Sequence, residues 1–231
     1  EDNFYLAVLN KPNKKWKPEE LLEFIYNKKP DFAPGDTAVY SNTNFVIVTM
    51  ILEVQTGKKH ADLLKDYILN PLGLANTYYQ PHDKLPNSVA QGYYDLYNNN
   101  TIVNVSNLVT GSGNGYGGIY SNLFDLQKFE NALFIKKTLL KPSSLSIMQT
   151  YGKKDDTNYY GYGLQKSYIQ SDGEYAIGHK GRDLGYSANL FYFPQKGVTN
   201  IFFINYGTDA ESGLKDVFRK FVDELMALTL Q

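Results

Sequence analysis

Cysteine is absent from this chain of 231 residues, which excludes disulfides, thiolate metal sites and a cysteine nucleophile. Histidine is scarce, and His60, His82 and His179 show none of the paired spacings that bring metal ligands together. We therefore expect neither a metal nor a cofactor. We expect His60 and His82 to be surface residues.

An excess of charge of either sign is also lacking. The 23 lysines and arginines balance 24 aspartates and glutamates, for a net charge of −1. Nucleic acid binds to a concentrated basic face, so it is excluded as the main partner. No apolar run approaches the roughly 20 residues that span a bilayer. Residues 1–3 show neither the basic start nor the apolar stretch of a signal peptide.

The order of the secondary-structure signals predicts an α+β fold, with a helical region followed by an antiparallel sheet and a covering C-terminal helix. Segment 43–56 is apolar nearly all round, which predicts a buried helix. We interpret residues 1–231 as one domain, mainly helical at 1–157 and with strands and the terminal helix at 158–231. Helices are expected at 18–27, 43–56, 61–69, 121–135, 142–150 and 212–228, and strands at 163–170, 174–178, 186–193 and 199–206.

A Pro-Gly turn at 34–35 and a short extended run lead into the tripeptide Tyr40-Ser41-Asn42, just before the apolar helix. Ser41 or Asn42 is expected to cap that helix, because a short polar side chain accepts from its first N–H groups. Tyr40 would then lie beside oriented donors and an amide, where a phenol can take part in acid–base chemistry. The tripeptide recurs at 120–122, so its surroundings must decide its meaning.

A second candidate is the sequence Gly-His-Lys-Gly at 178–181. Its glycines let a ligand backbone approach the strand edge. A polar or cationic side chain there can hold a carboxylate, and backbone N–H groups can face an oxyanion. An ordinary hairpin with a partly exposed His179 explains the residues equally well, so they leave both interpretations open.

Two further patterns have simpler explanations. Gly113-x-Gly115-x-x-Gly118 matches a phosphate-binding pattern but lacks a preceding strand in a βαβ unit, so a tight glycine loop is expected. Ser212-x-x-Lys215 has the spacing of a lysine-activated serine. It lies at the expected start of the last helix, however, and capping is the better interpretation.

A series of short motifs follows in order from residue 34 to residue 206. They are Pro34-Gly35, Tyr40-Ser41-Asn42-x-Asn44-Phe45, Gln55-Thr56-Gly57, Ile68-x-x-Pro71-Leu72-Gly73-Leu74-x-x-Thr77, Gly117-Gly118-Ile119-Tyr120-Ser121-Asn122-x-x-Asp125-Leu126, Tyr162-Gly163-Leu164, Gly178-His179-Lys180-Gly181-x-x-x-Gly185-Tyr186-Ser187 and Phe193-Pro194. In this order the chain resembles the serine β-lactamase-like family. The branch it is most similar to holds class C β-lactamases, D-alanyl-D-alanine carboxypeptidases and related esterases. The resemblance implies a β-lactamase/transpeptidase-like fold and an acyl-enzyme formed on the serine of a Ser-x-x-Lys motif.

The resemblance also implies roles for individual residues. Tyr40 would be the general acid/base partner, and Asn42 would hydrogen-bond the substrate amide and the lysine. His179 takes a place often held by lysine and would support Tyr40 or the substrate carboxylate. The substrate-binding residues implied on the same strand are Lys180, Gly181, which leaves room for substrate, and Arg182, whose backbone N–H would be one oxyanion donor.

The family's Ser-x-x-Lys precedes its Tyr-x-Asn motif, whereas residues 1–39 contain no such sequence and Ser212 comes too late in the order. We therefore expect these residues to lack a partner that they need. That partner is the amino-terminal segment of the same protein, which would carry the Ser-x-x-Lys motif. The implied function is a serine acyl hydrolase for a D-alanyl peptide, a β-lactam or an ester, in a periplasmic or exported location. His179 in place of lysine favours esterase or peptidase over β-lactamase. The alternative is a non-catalytic relative that binds a peptide or glycan.

Overall fold

The structure is a computed structural model and describes residues 2–153, 159–208 and 212–231. Helices dominate the first part of the chain and strands the second, as the sequence predicts. A 3₁₀ turn at Glu23–Ile25 extends α2, and π-helical turns at Lys65–Leu69 and Asn131–Ile135 extend α4 and α6. The helices are α1 (Asp2–Asn10), α2 (Pro18–Leu22), α3 (Asn42–Thr56), α4 (His60–Leu64), α5 (Asn70–Leu72), α6 (Leu123–Glu130), α7 (Pro142–Met148) and α8 (Lys215–Leu230).

The main sheet in the described part of the chain is antiparallel, with strand order β10-β9-β8-β7-β6-β5. Each strand pairs with its neighbour in sequence, so the predicted meander is confirmed. Two small two-stranded ladders, β1–β4 and β2–β3, lie outside it. The strands are β1 (Tyr78–Tyr79), β2 (Tyr93–Tyr94), β3 (Val103–Asn104), β4 (Ile119–Tyr120), β5 (Gly152–Lys153), β6 (Tyr159–Tyr160), β7 (Gln165–Ser167), β8 (Ala176–Asp183), β9 (Tyr186–Phe193) and β10 (Val198–Ile204).

Strand β8 is longer than predicted. The sequence places a turn at 181–185, whereas the ladder to β9 continues through Gly181↔Ala188 to Asp183↔Tyr186. A two-residue hairpin loop remains, with Gly185 at a φ of 84°. The longer strand therefore carries the whole Gly-His-Lys-Gly sequence. The predicted division at 157–158 lies within 154–158, outside the described residues.

Two apolar cores lie on opposite faces of the sheet. One contains Leu133, Phe134, Leu145, Leu164 and Ile177 and joins the sheet to α7 and the π-helical end of α6. The other contains Ala176, Phe191, Phe193 and Met226, with Met226 contributed by α8. The terminal helix thus covers one face, as the sequence predicts, and helices of the first part pack on the other.

Helix α3 forms where it was predicted, but the expectation that it is buried all round was wrong. Val46 and Thr49 are buried, whereas Ile51 and Val54 are 59% and 86% exposed. The glycine-rich loop packs on the Thr49 side, so closely that a Cβ on Gly115 would lie 2.2 Å from Thr49 Oγ1. The opposite, apolar side of α3 faces outward.

Helix α6 begins at Leu123, two residues after the predicted start, with Asn122 as its N-cap residue. The Asn122 side chain, and not that of Ser121, accepts from the Asp125 N–H at 2.8 Å. Ser121 Oγ instead lies 2.8 Å from Thr77 Oγ1, and the buried Asp125 carboxylate accepts from the Asn76 N–H. The second Tyr-Ser-Asn therefore anchors α6 to residues 76–77.

Candidate active site

Tyr40 ends the extended segment before α3, and Asn42 is the first residue of that helix. The Tyr40 hydroxyl donates to Asn42 Oδ1 at 3.0 Å. Ser41 is the N-cap residue, but among the described residues its side chain makes no capping hydrogen bond. The predicted side-chain cap was therefore wrong, because the amide oxygen of Asn42 binds the Tyr40 phenol.

The Tyr40 phenol is in its neutral form near pH 7. Burial raises its pKa above the ordinary value of a tyrosine, and the neighbouring Tyr160 raises it further. Tyr40 nevertheless keeps 40% of its surface exposed. The site can thus present a protonated phenol to an incoming ligand, and a positive charge beside it would be needed to make it a base.

Strand β8 brings His179 to Tyr40, with the two ring centroids 5.5 Å apart. His179 Nδ1 lies 2.6 Å from the Lys180 carbonyl oxygen. Because a carbonyl oxygen only accepts, Nδ1 carries the hydrogen and the neutral ring keeps an acceptor at Nε2. Burial lowers the pKa of His179, although the bond to Lys180 opposes this. The ring is therefore neutral near pH 7.

Tyr160 on β6 completes a group of three rings that sequence reasoning missed. Its ring centroid lies 5.6 Å from that of Tyr40 and 6.4 Å from that of His179. Gln165 donates to the Tyr160 hydroxyl at 2.6 Å. Tyr160 lies two residues before the motif Tyr162-Gly163-Leu164, and this proximity could have marked it as a candidate. Nothing local indicates that the Tyr160 ring packs on Tyr40.

Lys180 lies beside His179 in sequence, but its side chain goes to the other face of the sheet. Its Nζ lies 5.4 Å from the centroid of the Tyr168 ring, on the face packed against α8, because successive side chains of a strand alternate. The Lys180 backbone N–H donates to Gln165 Oε1 at 3.3 Å. The role of Lys180 in substrate binding stays a prediction, and this placement favours its backbone over its ammonium group.

Gly181 and Arg182 follow on the part of β8 beyond its ladder to β7, which spans 176–178. A Cβ on Gly181 would meet the Ala188 Cβ at 3.3 Å. The Arg182 guanidinium donates to the carbonyl oxygens of Gly181 and Ala188, at 2.7 and 3.0 Å. By strand alternation the Arg182 backbone N–H points the same way as that of Lys180. Its service as an oxyanion donor stays a prediction.

The glycine-rich loop has a packing explanation. Gly113, Gly115 and Gly118 all have positive φ, at 94°, 102° and 84°. A Cβ on Gly118 would lie 2.6 Å from the Gly113 backbone nitrogen, so close backbone approach requires the glycines. The loop leads into the short strand β4 and not directly into a helix, which disfavours a phosphate site.

Ser212 lies in the turn before α8. Its Oγ is 3.0 Å from the Tyr206 hydroxyl and accepts from the Leu214 N–H at 3.3 Å. Lys215 is the first residue of the helix, so the two side chains do not share a helical turn. Ser212 therefore stabilises the turn before α8, but Leu214 is the N-cap residue and makes no side-chain capping hydrogen bond, so the capping interpretation of the serine was wrong.

His60 is not the simple surface residue that the sequence suggests. Its ring Nδ1 lies 3.1 Å from the hydroxyl of the buried Tyr79, and its backbone N–H donates to Glu53 Oε1 at 2.9 Å. Burial lowers the pKa of His60, and the charge of His82 acts in the same direction, against the effect of Glu53. His82 is exposed, as predicted, and stacks on the Tyr79 ring at 4.8 Å.

Asp183 ends β8 and ties this strand to the segment before the glycine-rich loop. Its carboxylate accepts from Thr110 Oγ1 at 3.0 Å, from the Leu184 N–H at 2.8 Å and from Ser112 Oγ. Burial raises the pKa of the carboxyl group. Asp183 also lines a cavity of about 520 Å³, to which neither Tyr40 nor His179 contributes.

The family follows from a comparison with protein-family models, in which residues 2–222 match the family described as Beta-lactamase. The chain belongs to the Beta-lactamase family. Penicillin-binding protein 4 of Amycolatopsis lactamdurans is 27% identical to this family member over 209 residues, which cover 85% of this chain and 55% of that protein. The family resemblance seen in the sequence is thereby confirmed.

Solved structures show the same fold as this Beta-lactamase family chain. A D-stereospecific amidohydrolase from Streptomyces sp. matches with a TM-score of 0.78 and 30% identity, over 87% of this chain and 60% of that one. A D-amino acid amidase from Ochrobactrum anthropi SV3, complexed with L-phenylalanine amide, matches with a TM-score of 0.77 and 25% identity. That match covers 94% of this chain and 65% of the amidase. The predicted β-lactamase/transpeptidase-like fold is confirmed, and the chain spans less than two thirds of the length of these proteins.

Proposed function

We propose that the protein is a serine acyl hydrolase that acts through an acyl-enzyme, with its nucleophile on a Ser-x-x-Lys segment upstream of these residues. The observation that carries the proposal is the hydrogen bond from Tyr40 to Asn42 at 3.0 Å beside the ring of His179. A phenol, an amide and an imidazole meet there on a helix start and a strand, which are rigid supports for chemistry.

The electrostatics of the site support the need for an additional cation. Tyr40 and His179 are both neutral near pH 7, because burial raises the pKa of the phenol and lowers that of the imidazole. A neutral phenol is a poor base. The ammonium group of a Ser-x-x-Lys lysine placed near Tyr40 would favour the phenolate, since an adjacent positive charge lowers a tyrosine pKa.

In the proposed reaction the serine oxygen attacks the substrate carbonyl while its proton passes to the Tyr40 phenolate, which the lysine ammonium group favours. The carbonyl oxygen becomes an oxyanion, which the Arg182 N–H would stabilise. The tetrahedral intermediate collapses to the acyl-enzyme, and the amine or alcohol leaves with the proton. Water then repeats the sequence on the ester and releases the acid and the free serine.

The outward face of α3 supports the proposal of an upstream segment. Val48, Ile51 and Val54 are 51%, 59% and 86% exposed on a helix that carries Asn42 at its start. An apolar face of this kind is stabilised by covering it. A segment that brings the serine and lysine to the start of α3 could also cover this face.

For the substrate we propose a small amide or peptide of the D-amino acyl type, or an ester. The amidase and amidohydrolase names of the similar structures favour the amide. Near pH 7 a neutral His179 holds a carboxylate less strongly than a permanently charged lysine would, which disfavours a β-lactamase.

An exported or periplasmic location is proposed with this substrate. Among the described helices, none is both long and apolar enough to cross a membrane.

The test is covalent labelling of the complete gene product with a fluorescent penicillin and with a fluorophosphonate, followed by peptide mapping. We expect the label on a serine encoded before residue 1, in a Ser-x-x-Lys sequence. Absence of label from both probes, in protein whose folding is verified by circular dichroism, would argue against the acyl-enzyme.

A binding module is the second candidate function. The ring contact of the exposed Tyr40 with the half-buried Tyr160 favours it, because aromatic rings at a cleft can hold peptides and glycans. The complete reading frame separates the two: a gene without an upstream Ser-x-x-Lys supports binding without catalysis.

A further inference from the structure

Gln165 connects two strands of the candidate site through its side chain. It is only 9% exposed, and its backbone pairs with Tyr160 on β6 and with Gly178 on β8. Its amide Nε2 donates to the Tyr160 hydroxyl at 2.6 Å, and its Oε1 accepts from the Lys180 N–H at 3.3 Å. One buried amide therefore binds a site tyrosine and the backbone next to His179.

The bond to Lys180 continues a backbone ladder beyond its end. Gln165 is the first residue of β7, and the last β7–β8 pair toward the site is Gln165↔Gly178. The side-chain oxygen then accepts from the N–H two residues further along β8. An amide side chain can replace a missing strand residue in this way, because it offers the same carbonyl acceptor.

The bond to Tyr160 fixes the third ring of the aromatic group. Since Nε2 is a donor, the Tyr160 oxygen accepts this bond and its own hydrogen is directed away from Gln165. The Tyr160 ring contacts Tyr40, with centroids 5.6 Å apart and planes 37° apart. A shift of Tyr160 would therefore change the packing and the electrostatic environment of the Tyr40 phenol.

We propose that Gln165 is a positioning residue for the proposed acyl-transfer site, and that Tyr160 is a substrate-contacting residue which Gln165 holds against Tyr40. The inference rests on the proposed function. It assigns Tyr160 to the wall of the acyl-binding site, where its ring and hydroxyl face the part of the substrate nearest Tyr40. Gln165 acts through Tyr160 and through the β8 backbone, and does not contact the reacting atoms.

The competing explanation is that Gln165 only stabilises the sheet. The two bonds can be separated with two substitutions. Gln165→Glu keeps an acceptor for the Lys180 N–H but removes the donor to Tyr160, whereas Gln165→Met removes both. Gln170→Glu is the matched control, because the Gln170 amide donates to the Tyr168 carbonyl oxygen in the same hairpin, away from Tyr40.

The experiment is a double-mutant cycle on the complete gene product with Tyr160→Phe and Gln165→Met, measuring kcat and KM on an amide or ester that the wild-type protein hydrolyses. We expect each single variant to lower kcat/KM about tenfold, as for a displaced positioning group. We expect the double variant to be little worse than either, because both changes remove the same hydrogen bond between Gln165 and Tyr160. Gln165→Glu should move the pH limb of kcat assigned to Tyr40 toward higher pH, since a nearby carboxylate opposes the phenolate.

In the steady-state and melting measurements, two outcomes would overturn the inference. One is additivity, in which the double variant loses the product of the single effects. The other is a fall in melting temperature of the Gln165 variants with kcat, KM and the pH profile unchanged. Serine labelling of the wild-type protein keeps this test separate from the proposed function. If the wild type and Gln165→Met are labelled equally fast, the result refutes only the positioning role of Gln165. If the wild type is not labelled, the result refutes the proposed acyl-enzyme itself.

Discussion

The Tyr40 hydroxyl donates to Asn42 Oδ1 at 3.0 Å, across a single intervening residue at the start of α3. The bond holds the phenol beside the His179 ring without a capping bond from Ser41. The helix start thus has a geometric role: it fixes the direction of the phenol relative to β8.

The first prediction concerns Tyr40. In the complete gene product, Tyr40→Phe should lower turnover by about a hundredfold or more, because the proposed mechanism loses its proton-transfer group. Steady-state hydrolysis of an amide or ester measures this. Tyr120→Phe is the matched control from the other Tyr-Ser-Asn and should change turnover by less than about threefold. Near-normal activity of Tyr40→Phe would refute the role of the phenol.

The second prediction concerns Asn42. Asn42→Ala should lower kcat/KM about tenfold, because Tyr40 loses the acceptor that orients its hydroxyl. Since Ser41 and not Asn42 is the N-cap residue, we expect the free energy of unfolding to change by less than about 1 kcal/mol. Kinetics and urea unfolding of the same preparation test both parts. A large loss of stability with unchanged kinetics would show that Asn42 is structural.

The third prediction separates two glycines of β8. A Cβ on Gly178 would lie 1.9 Å from the Leu190 carbonyl oxygen, whereas one on Gly181 would lie 3.3 Å from a side-chain carbon. Gly178→Ala should therefore cost roughly 2 kcal/mol or more of stability, since backbone must move to relieve the overlap. Gly181→Ala should cost less than about 1 kcal/mol and still raise KM, because it occupies the proposed substrate path. Equal melting temperatures for the two variants would contradict this.

The fourth prediction concerns pH and His60. Burial lowers the pKa of His60 in the folded state, so the unfolded chain takes up the proton more readily. The contribution of His60 to stability is then complete above the unfolded pKa of about 6.5 and is lost as the pH falls through the folded pKa. We expect the melting temperature to fall between about pH 7.5 and about pH 5.5 by more in the wild type than in His60→Gln.

Differential scanning calorimetry at the two pH values measures that difference. Gln55→Ala, an exposed change near the end of α3, should keep the pH dependence of the wild type. If His60→Gln and the wild type lose the same number of degrees, His60 does not carry the effect.

Much of the fold could be predicted from local signals. Turn residues at 171–173 and 194–197 separate the strands, and apolar periodicity identifies the terminal helix that buries Met226. These features depend on neighbouring residues, which sequence shows directly. The end of β8 was missed because glycine at 181 suggests a turn, whereas pairing with Ala188 keeps it extended.

The amphipathic character of α3 could not be predicted in the same way. Its residues are apolar nearly all round, and periodicity alone cannot distinguish a side that packs on the glycine-rich loop from a side that faces outward. Burial depends on what the rest of the protein places beside a helix.

The sequence by itself determined the order of helices and strands and the motifs that carry the family resemblance, including Tyr40, Asn42 and His179. The tertiary structure decided which of these residues meet: it placed the Tyr40 ring 5.5 Å from His179 and sent the Lys180 side chain to the opposite face of the sheet. It also revealed the contact of Tyr160 with Tyr40 and the hydrogen bonds of Gln165, which nothing local indicated. Such contacts join distant parts of the chain, and they depend on the register of strands and the packing of rings, which no local pattern specifies.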